Sequence, residues 1–240
     1  MNTVKIEKKN TKMVAHRGLS GIECENSAAA FVAAGNRSYW GIETDVHSTA
    51  DGHYVVIHDV ETGKRVSDTD INVEESTLAE IRTVLLQKPD TGETRADLRI
   101  PTLQEYISIC KKYGKVAVTE LKTDFSEAQI AEILQIIGEM DYLDDTVFIS
   151  FTWENLVKVK KLRPNQAAQF LCSAIDDTKI EELREYSIGL DIAKAGVSAA
   201  LIQKIHEKGL EINCWTVDAP EEAAQYIAWG IDYITTNILE

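Results

Sequence analysis

The sequence predicts a closed (β/α)8 barrel, a TIM barrel, with a small insertion after the second barrel strand. Apolar runs with strand character alternate with stretches at helical spacing, until eight strands are counted, each joined to the next by a helix. The 240 residues, 44% of them hydrophobic, fall in the size range in which such barrels form one domain. The alternative, a doubly wound open sheet, lacks the Gly-rich nucleotide loop that would support it.

The first strand, 13–15, is short and apolar and delivers His16-Arg17-Gly18 to its C-terminal end. A helix over 27–34 follows, with Asn26 or Ser27 as N-cap and Gly35 as its stop. Residues 40–46 are the second strand. Only about a dozen residues later a strand run over 54–57 ends in His58-Asp59, too close for a crossover helix, so it reads as an excursion near the top of the barrel. Residues 61–99 are polar, carry turn dipeptides at Thr62-Gly63, Pro89-Asp90 and Thr91-Gly92, and read as an inserted subdomain with a short helix within 77–86. From Pro101 the alternation resumes, with helices over 103–113, 126–140, 154–162, 179–186, 198–208 and 220–229. Strands lie at 116–121, 146–151, 167–172, 188–192, 211–217 and 232–235. The whole chain is expected to be one domain, 1–240. Five residues follow the last strand, so its outer helix is expected to be missing.

A formal net charge of −14 argues against nucleic-acid or anionic-membrane partners, both of which need a basic face. Any phosphate site must then carry its own positive charge. Cys24, Cys110, Cys172 and Cys214 lie far apart without a Cys-x-x-Cys pair, as expected of free or buried thiols in a reducing compartment. The polar N-terminus and the lack of a long apolar run predict a cytoplasmic protein without stable membrane anchoring.

Glu43 and Asp45 stand two apart in a strand, so both carboxylates project from one face. Side by side they raise each other's pKa, a cost that a divalent cation removes. Glu120 repeats the oddity on the next barrel strand, and the three acids together would make an all-oxygen site suited to Mg2+ or Ca2+. Arg17 and Lys122 add the positive charge that a phosphate needs. His16 and His58 have the unperturbed pKa that suits proton transfer at neutral pH, and Trp215 is a further strand-end residue. His47, His53 and His206 are read as packed or solvated.

The runs His16-Arg17-Gly18, Glu25-Asn26, Glu43-Thr44-Asp45-Val46, Val56-Ile57-His58-Asp59 and Glu120-Leu121-Lys122 resemble those of the glycerophosphodiester phosphodiesterases. Cys214-Trp215-Thr216-Val217-Asp218 and 230–237 also look like that family's closing segments, so the resemblance spans nearly the whole chain. It implies one divalent cation held by Glu43, Asp45 and Glu120, and acid-base catalysis by His16 and His58. It further implies phosphate binding at Arg17 and Lys122, an aromatic substrate contact at Trp215, and a small subdomain at 61–99. Cys24, where the family usually has proline, and Asn237, where it usually has aspartate, are expected to lie outside the chemistry.

The resulting expectation is hydrolysis of a small glycerophosphodiester to glycerol 3-phosphate and an alcohol. A free hydroxyl beside the ester is tethered near phosphorus and has a large effective-molarity advantage over water, which favours a cyclic phosphate as the first product. A lysophospholipid substrate would ask for a wider apolar mouth and an amphipathic anchor. A barrel that only binds phosphodiesters would not need both histidines and all three acids. A dinuclear zinc hydrolase would need a His-x-His pair, which His16-Arg17-Gly18 does not supply.

Overall fold

The structure is a computed structural model that describes residues 2–240. β1 (Lys12–Ala15) runs through α1 (Ala28–Gly35) to β2 (Gly41–Ser48). Between β2 and the next barrel helix lie β3 (Tyr54–Val56), α2 (Leu78–Ile81), β4 (Leu85–Gln87) and β5 (Thr94–Arg99). The alternation then continues with α3 (Leu103–Tyr113), β6 (Val116–Leu121), α4 (Glu127–Glu139), β7 (Thr146–Ser150), α5 (Trp153–Leu162) and β8 (Ala168–Cys172). It ends with α6 (Asp177–Tyr186), β9 (Gly189–Ala193), α7 (Ala199–Glu207), β10 (Ile212–Trp215), α8 (Pro220–Trp229) and β11 (Tyr233–Thr236).

Eight of these strands pair in parallel in the circular order β1, β2, β6, β7, β8, β9, β10, β11. Lys12↔Tyr233 and Val14↔Gly41 close the ring on either side of β1, so the predicted barrel is the observed one. Leu239 bridges to Val4 after β11, and among the described residues no helix follows that strand.

Helix ends follow local chemistry. Thr102 with Glu105 and Ser126 with Gln129 form reciprocal capping boxes at the starts of α3 and α4, satisfying backbone N–H groups that the helix leaves unpaired. Buried Leu103, Tyr106, Ile107 and Cys110 fall at helical spacing and pack α3 onto the strands. Truncating one such side chain, Ile107→Ala, would cost roughly 2–5 kcal/mol. Inside the ring Val14, Val118, Ile149, Leu171 and Tyr233 form a second apolar cluster, one residue from each of five strands. That plug closes the barrel's middle and leaves the strand C-termini as the place where polar side chains gather.

The excursion after β2 is an antiparallel partner of β2, with Val46↔Val56, His47↔Val55 and Ser48↔Tyr54 in register. The short helix expected within 77–86 is the single turn of α2; it stops at Ile81, and Leu85 and Leu86 belong to β4, which pairs antiparallel with β5. Packing decides this, because Leu86 is buried with Val55, Ile57, Val66, Ile81 and Ile100 in a core separate from the barrel's. The four cysteines are free and buried. Among the described residues no helix is long and apolar enough to cross a membrane.

Candidate active site

β2 and β6 pair with Asp45 opposite Glu120, and Glu43 lies one pleat earlier on the same face. Oxygens of Glu43, Asp45 and Glu120 lie within 4.8 Å of one another. All three side chains are buried. Burial, then Asp45 and Glu120, pushes the Glu43 carboxyl well above the usual range. Glu120 is raised to about 7 by burial and by Asp45, against the pull of Lys122. Asp45 departs from the expected mutual rise. Burial works against its charge, but Lys122 and Arg17 outweigh it and hold the carboxyl below its ordinary value. Lys122 Nζ stands 3.3 Å from Asp45 Oδ1 and 2.9 Å from Glu120 Oε1. Asn26 Nδ2 donates to Asp45 Oδ2 at 2.8 Å, and Thr44 Oγ1 fixes that amide by donating to its oxygen at 2.6 Å. A buried, all-oxygen donor set with two acids short of counter-charge fits a hard divalent cation.

The loop after β1 sets the second part. Arg17 adopts a left-handed backbone at φ 53°, and its N–H donates to Glu43 Oε2 at 2.7 Å. Gly18 follows at φ 74°, where a Cβ would come within 2.7 Å of the Ala30 backbone, so only glycine fits. The Arg17 guanidinium reaches Glu25 at 2.9 Å and Asp45 at 3.5 Å, its positive charge facing the cleft beside Lys122.

The two histidines are held differently. His16 Nδ1 lies 2.7 Å from Asn237 Oδ1. Asn237 Nδ2 donates to Asp218 Oδ2 at 2.6 Å and Ser20 Oγ donates to Asn237 Oδ1 at 2.8 Å, so that oxygen is an acceptor and His16 Nδ1 carries the proton. Its Nε2 is left with a free lone pair. Burial and the adjacent Arg17 lower the His16 pKa to about 4. The expectation that Asn237 lies outside this region is therefore corrected: it directly follows β11, which runs alongside β1 with Ala15 opposite Thr236, and so brings its amide against His16. Cys24 does lie apart, with Sγ against the Gln87 carbonyl at 3.3 Å.

His58 Nδ1 lies 2.8 Å from the Asp59 carboxylate. Burial, with Arg17 and Lys122 nearby, lowers its pKa, while Asp45 and the Asp59 hydrogen bond oppose that shift without reversing it. Asp59 accepts from Arg65 Nε at 3.1 Å, and Arg65 grips both oxygens of Glu25, with Nη2 2.6 Å from Oε1. An unbroken line of pairs thus joins His58 to Arg17 through Asp59, Arg65 and Glu25. The sequence reading missed Arg65, since nothing in a polar insertion marks one of its cations as turned inward. His47 is buried behind this line, with Nε2 3.2 Å from the His58 carbonyl and Nδ1 2.9 Å from Glu74, while His206 pairs with Asp232 far from it.

Across the cleft the wall is apolar, formed by Ile149, Phe151, Leu171 and Trp215. Phe151 meets Trp215 edge-on at 5.6 Å between centroids and is 49% exposed. Phe151 was also missed, although a large apolar residue just past the end of a barrel strand is a legible signal. His16, Arg17, Glu43, His58, Glu120, Lys122 and Trp215 all line this one cleft, and Asp45 sits directly behind it. A cation-competent acid cluster, two cations and two imidazoles facing an apolar wall define a hydrolase suited to phosphate esters.

Comparison with known proteins specifies the class. Residues 16–240 match the model of the glycerophosphoryl diester phosphodiesterase family. A glycerophosphodiester phosphodiesterase of Caldanaerobacter subterraneus is 32% identical over 95% of this chain and 94% of its own length. Among solved structures, an Oleispira antarctica phosphodiesterase in complex with its product sn-glycerol-3-phosphate superposes with a TM-score of 0.83 at 27% identity, covering 94% of this chain and 92% of that one. A glycerophosphodiester phosphodiesterase of Parabacteroides distasonis does so with a TM-score of 0.79 at 28% identity over 96% and 94%. The chain belongs to the glycerophosphoryl diester phosphodiesterase family, and it is an enzyme of that class, a phosphoric diester hydrolase.

Proposed function

We propose that this enzyme hydrolyses small glycerophosphodiesters to glycerol 3-phosphate and an alcohol, using one divalent cation, Mg2+ or Ca2+, held by Glu43, Asp45 and Glu120. The observation that carries this reading is the convergence of three buried carboxylates with His16, His58, Arg17 and Lys122 on one cleft. A cation bound there would neutralise the acids and supply Lewis-acid polarisation of the phosphate. Arg17 and Lys122 bind the non-bridging phosphate oxygens, which gives an acidic protein its local anion site. His16 is the base: it is neutral at pH 7, and the Asn237 contact directs its bare Nε2 away from that amide. His58 is the acid. The Asp59 carboxylate at its Nδ1 offsets part of the lowering of its pKa, and the imidazolium form donates its Nε2 proton to the departing alkoxide. Trp215 packs against the carbon skeleton of the substrate.

His16 takes its proton from the substrate's own neighbouring hydroxyl, the P–O bond to the alcohol breaks as the new one forms, and water opens the cyclic ester in a second step. Four buried free thiols agree with a cytoplasmic location. Turnover of a panel of glycerophosphodiesters with and without chelator tests the whole reading. Activity should vanish on chelation and return with Mg2+ or Ca2+. Undiminished turnover in excess chelator would remove the cation from the proposal.

A further inference from the structure

Asp191 is a charged-type side chain in the barrel interior that none of the roles above uses. It is 1% exposed, it lines the cleft, and its Oδ1 has no hydrogen-bond partner. A buried polar atom without a partner is rare, because it has given up water and received nothing in return. It is not one of the oxygens clustered around the candidate cation position.

Topology gives it a place relative to the phosphate. In the ring of eight strands β9 stands four strands from β2 in either direction, so Asp191 lies diametrically across the barrel from Glu43 and Asp45. Its neighbours in register are Leu171 on β8 and Asn213 on β10. Asn213 Nδ2 donates to Thr235 Oγ1 at 2.8 Å, and its own buried Oδ1 is likewise without a partner. Burial, then Glu120, pushes the Asp191 carboxyl well above the usual range, against a hydrogen bond from the Asn213 side chain, and the two unpartnered Oδ1 atoms sit side by side on the far half of the barrel, next to Leu171 and Trp215 of the apolar wall.

We propose that Asp191 is a specificity residue that accepts a hydrogen bond from a free hydroxyl of the glycerol moiety, reading the polyol end of the substrate. This rests on the phosphodiesterase reading above. With the phosphate held by Arg17 and Lys122 and the neighbouring hydroxyl at His16, both on the β1, β2 and β6 side, the terminal hydroxyl of the three-carbon chain is the one that crosses the cleft to the β9 side, where a donor satisfies Asp191 Oδ1. A ligand that lacks the hydroxyl leaves that acceptor buried and unpaired, which costs roughly 10- to 100-fold in affinity.

The test is calorimetric binding of two ligands in the presence of Mg2+: sn-glycerol 3-phosphate, and n-propyl phosphate, which has the same phosphate and carbon chain without hydroxyls. Wild-type protein should prefer glycerol 3-phosphate by about 10- to 100-fold. Asp191→Ala should bind n-propyl phosphate as before and lose most of that preference. Asp191→Leu, of similar bulk and without a polar atom, should lose it too while keeping close to the wild-type melting temperature, since the loss of the Asn213 contact is offset by removal of the buried, unpartnered Oδ1. A residue that is merely structural would lower the melting temperature and weaken both ligands alike, which overturns the assignment. A wild-type protein without the preference, or variants that retain it, overturns it as well. Absence of turnover on every glycerophosphodiester would sink the phosphodiesterase reading itself, a different result from equal affinity for the two ligands.

Discussion

The two halves of the barrel mouth are built on opposite principles. On the side of β1, β2 and β6 each charged group is tied to others: Arg17 to Glu25 and Asp45, Lys122 to Asp45 and Glu120, His58 to Asp59 and on to Arg65. On the side of β7, β8 and β10 the wall is Phe151, Ile149, Leu171 and Trp215, with Phe151 left half exposed at the rim. Buried charges need fixed partners, whereas apolar surface can wait uncovered for a ligand. The charged half is therefore held in fixed geometry, as the proposed phosphate and proton-transfer roles require, and the apolar half stands open, as the proposed carbon contact requires. Chemistry should fail when the first is disturbed, and affinity when the second is.

The sharpest way to break that division lies in the substrate. A 2-deoxy analogue of the glycerophosphodiester keeps the charge and nearly the shape, so it should bind but show no measurable turnover if the neighbouring hydroxyl attacks phosphorus. Cleavage near the normal rate would mean that water attacks directly. Next in size are the histidines. His16→Ala and His58→Ala should each lower kcat by about 10²- to 10⁴-fold with KM little changed, whereas His206→Ala, outside the mouth, should leave both parameters alone. A His58→Ala variant with near-normal kcat would end its role as acid.

The apolar half should respond in the other parameter. Trp215→Ala or Phe151→Ala removes carbon contact without touching a charged pair, and should raise KM about tenfold with kcat largely kept. A fall in kcat with KM unchanged would show that this wall also aligns the reacting atoms. The smallest effect tests how His58 is held. In Asp59→Asn the carboxylate that supports the His58 imidazolium becomes a neutral amide, so the pKa falls further below its ordinary value. An acid works while protonated, so the alkaline limb of kcat/KM should move about one pH unit toward acid. An alkaline limb that stays in place would separate it from His58.

The barrel was legible because its elements are local. Strand and helix periodicity, the stop at Gly35 and the Thr102 and Ser126 caps are written within a few residues of where they act. Glu43 and Asp45 were legible for the same reason, since a two-residue spacing on a strand fixes a shared face. How far the short helix within 77–86 runs was not legible, because Leu85 and Leu86 suit either period, and a separate core selected the strand.

What the sequence alone determined is the ring of strands and the arrival of His16, Arg17, Glu43, Asp45, Glu120, Lys122 and Trp215 at its C-terminal face, because periodicity and strand ends are properties of neighbours in the chain. Only the tertiary structure decided the charge state and orientation of that set. His16 is fixed by Asn237, 221 residues away, and Arg17 is linked to His58 through Arg65, which the insertion carries in across 40 residues from Glu25. Asp45 is driven acid by the Lys122 and Arg17 that reach it, while Glu43, two residues earlier, is driven the other way. A carboxylate's pKa depends on what surrounds it within a few ångströms, and in a closed barrel that neighbourhood is assembled from strands remote in sequence.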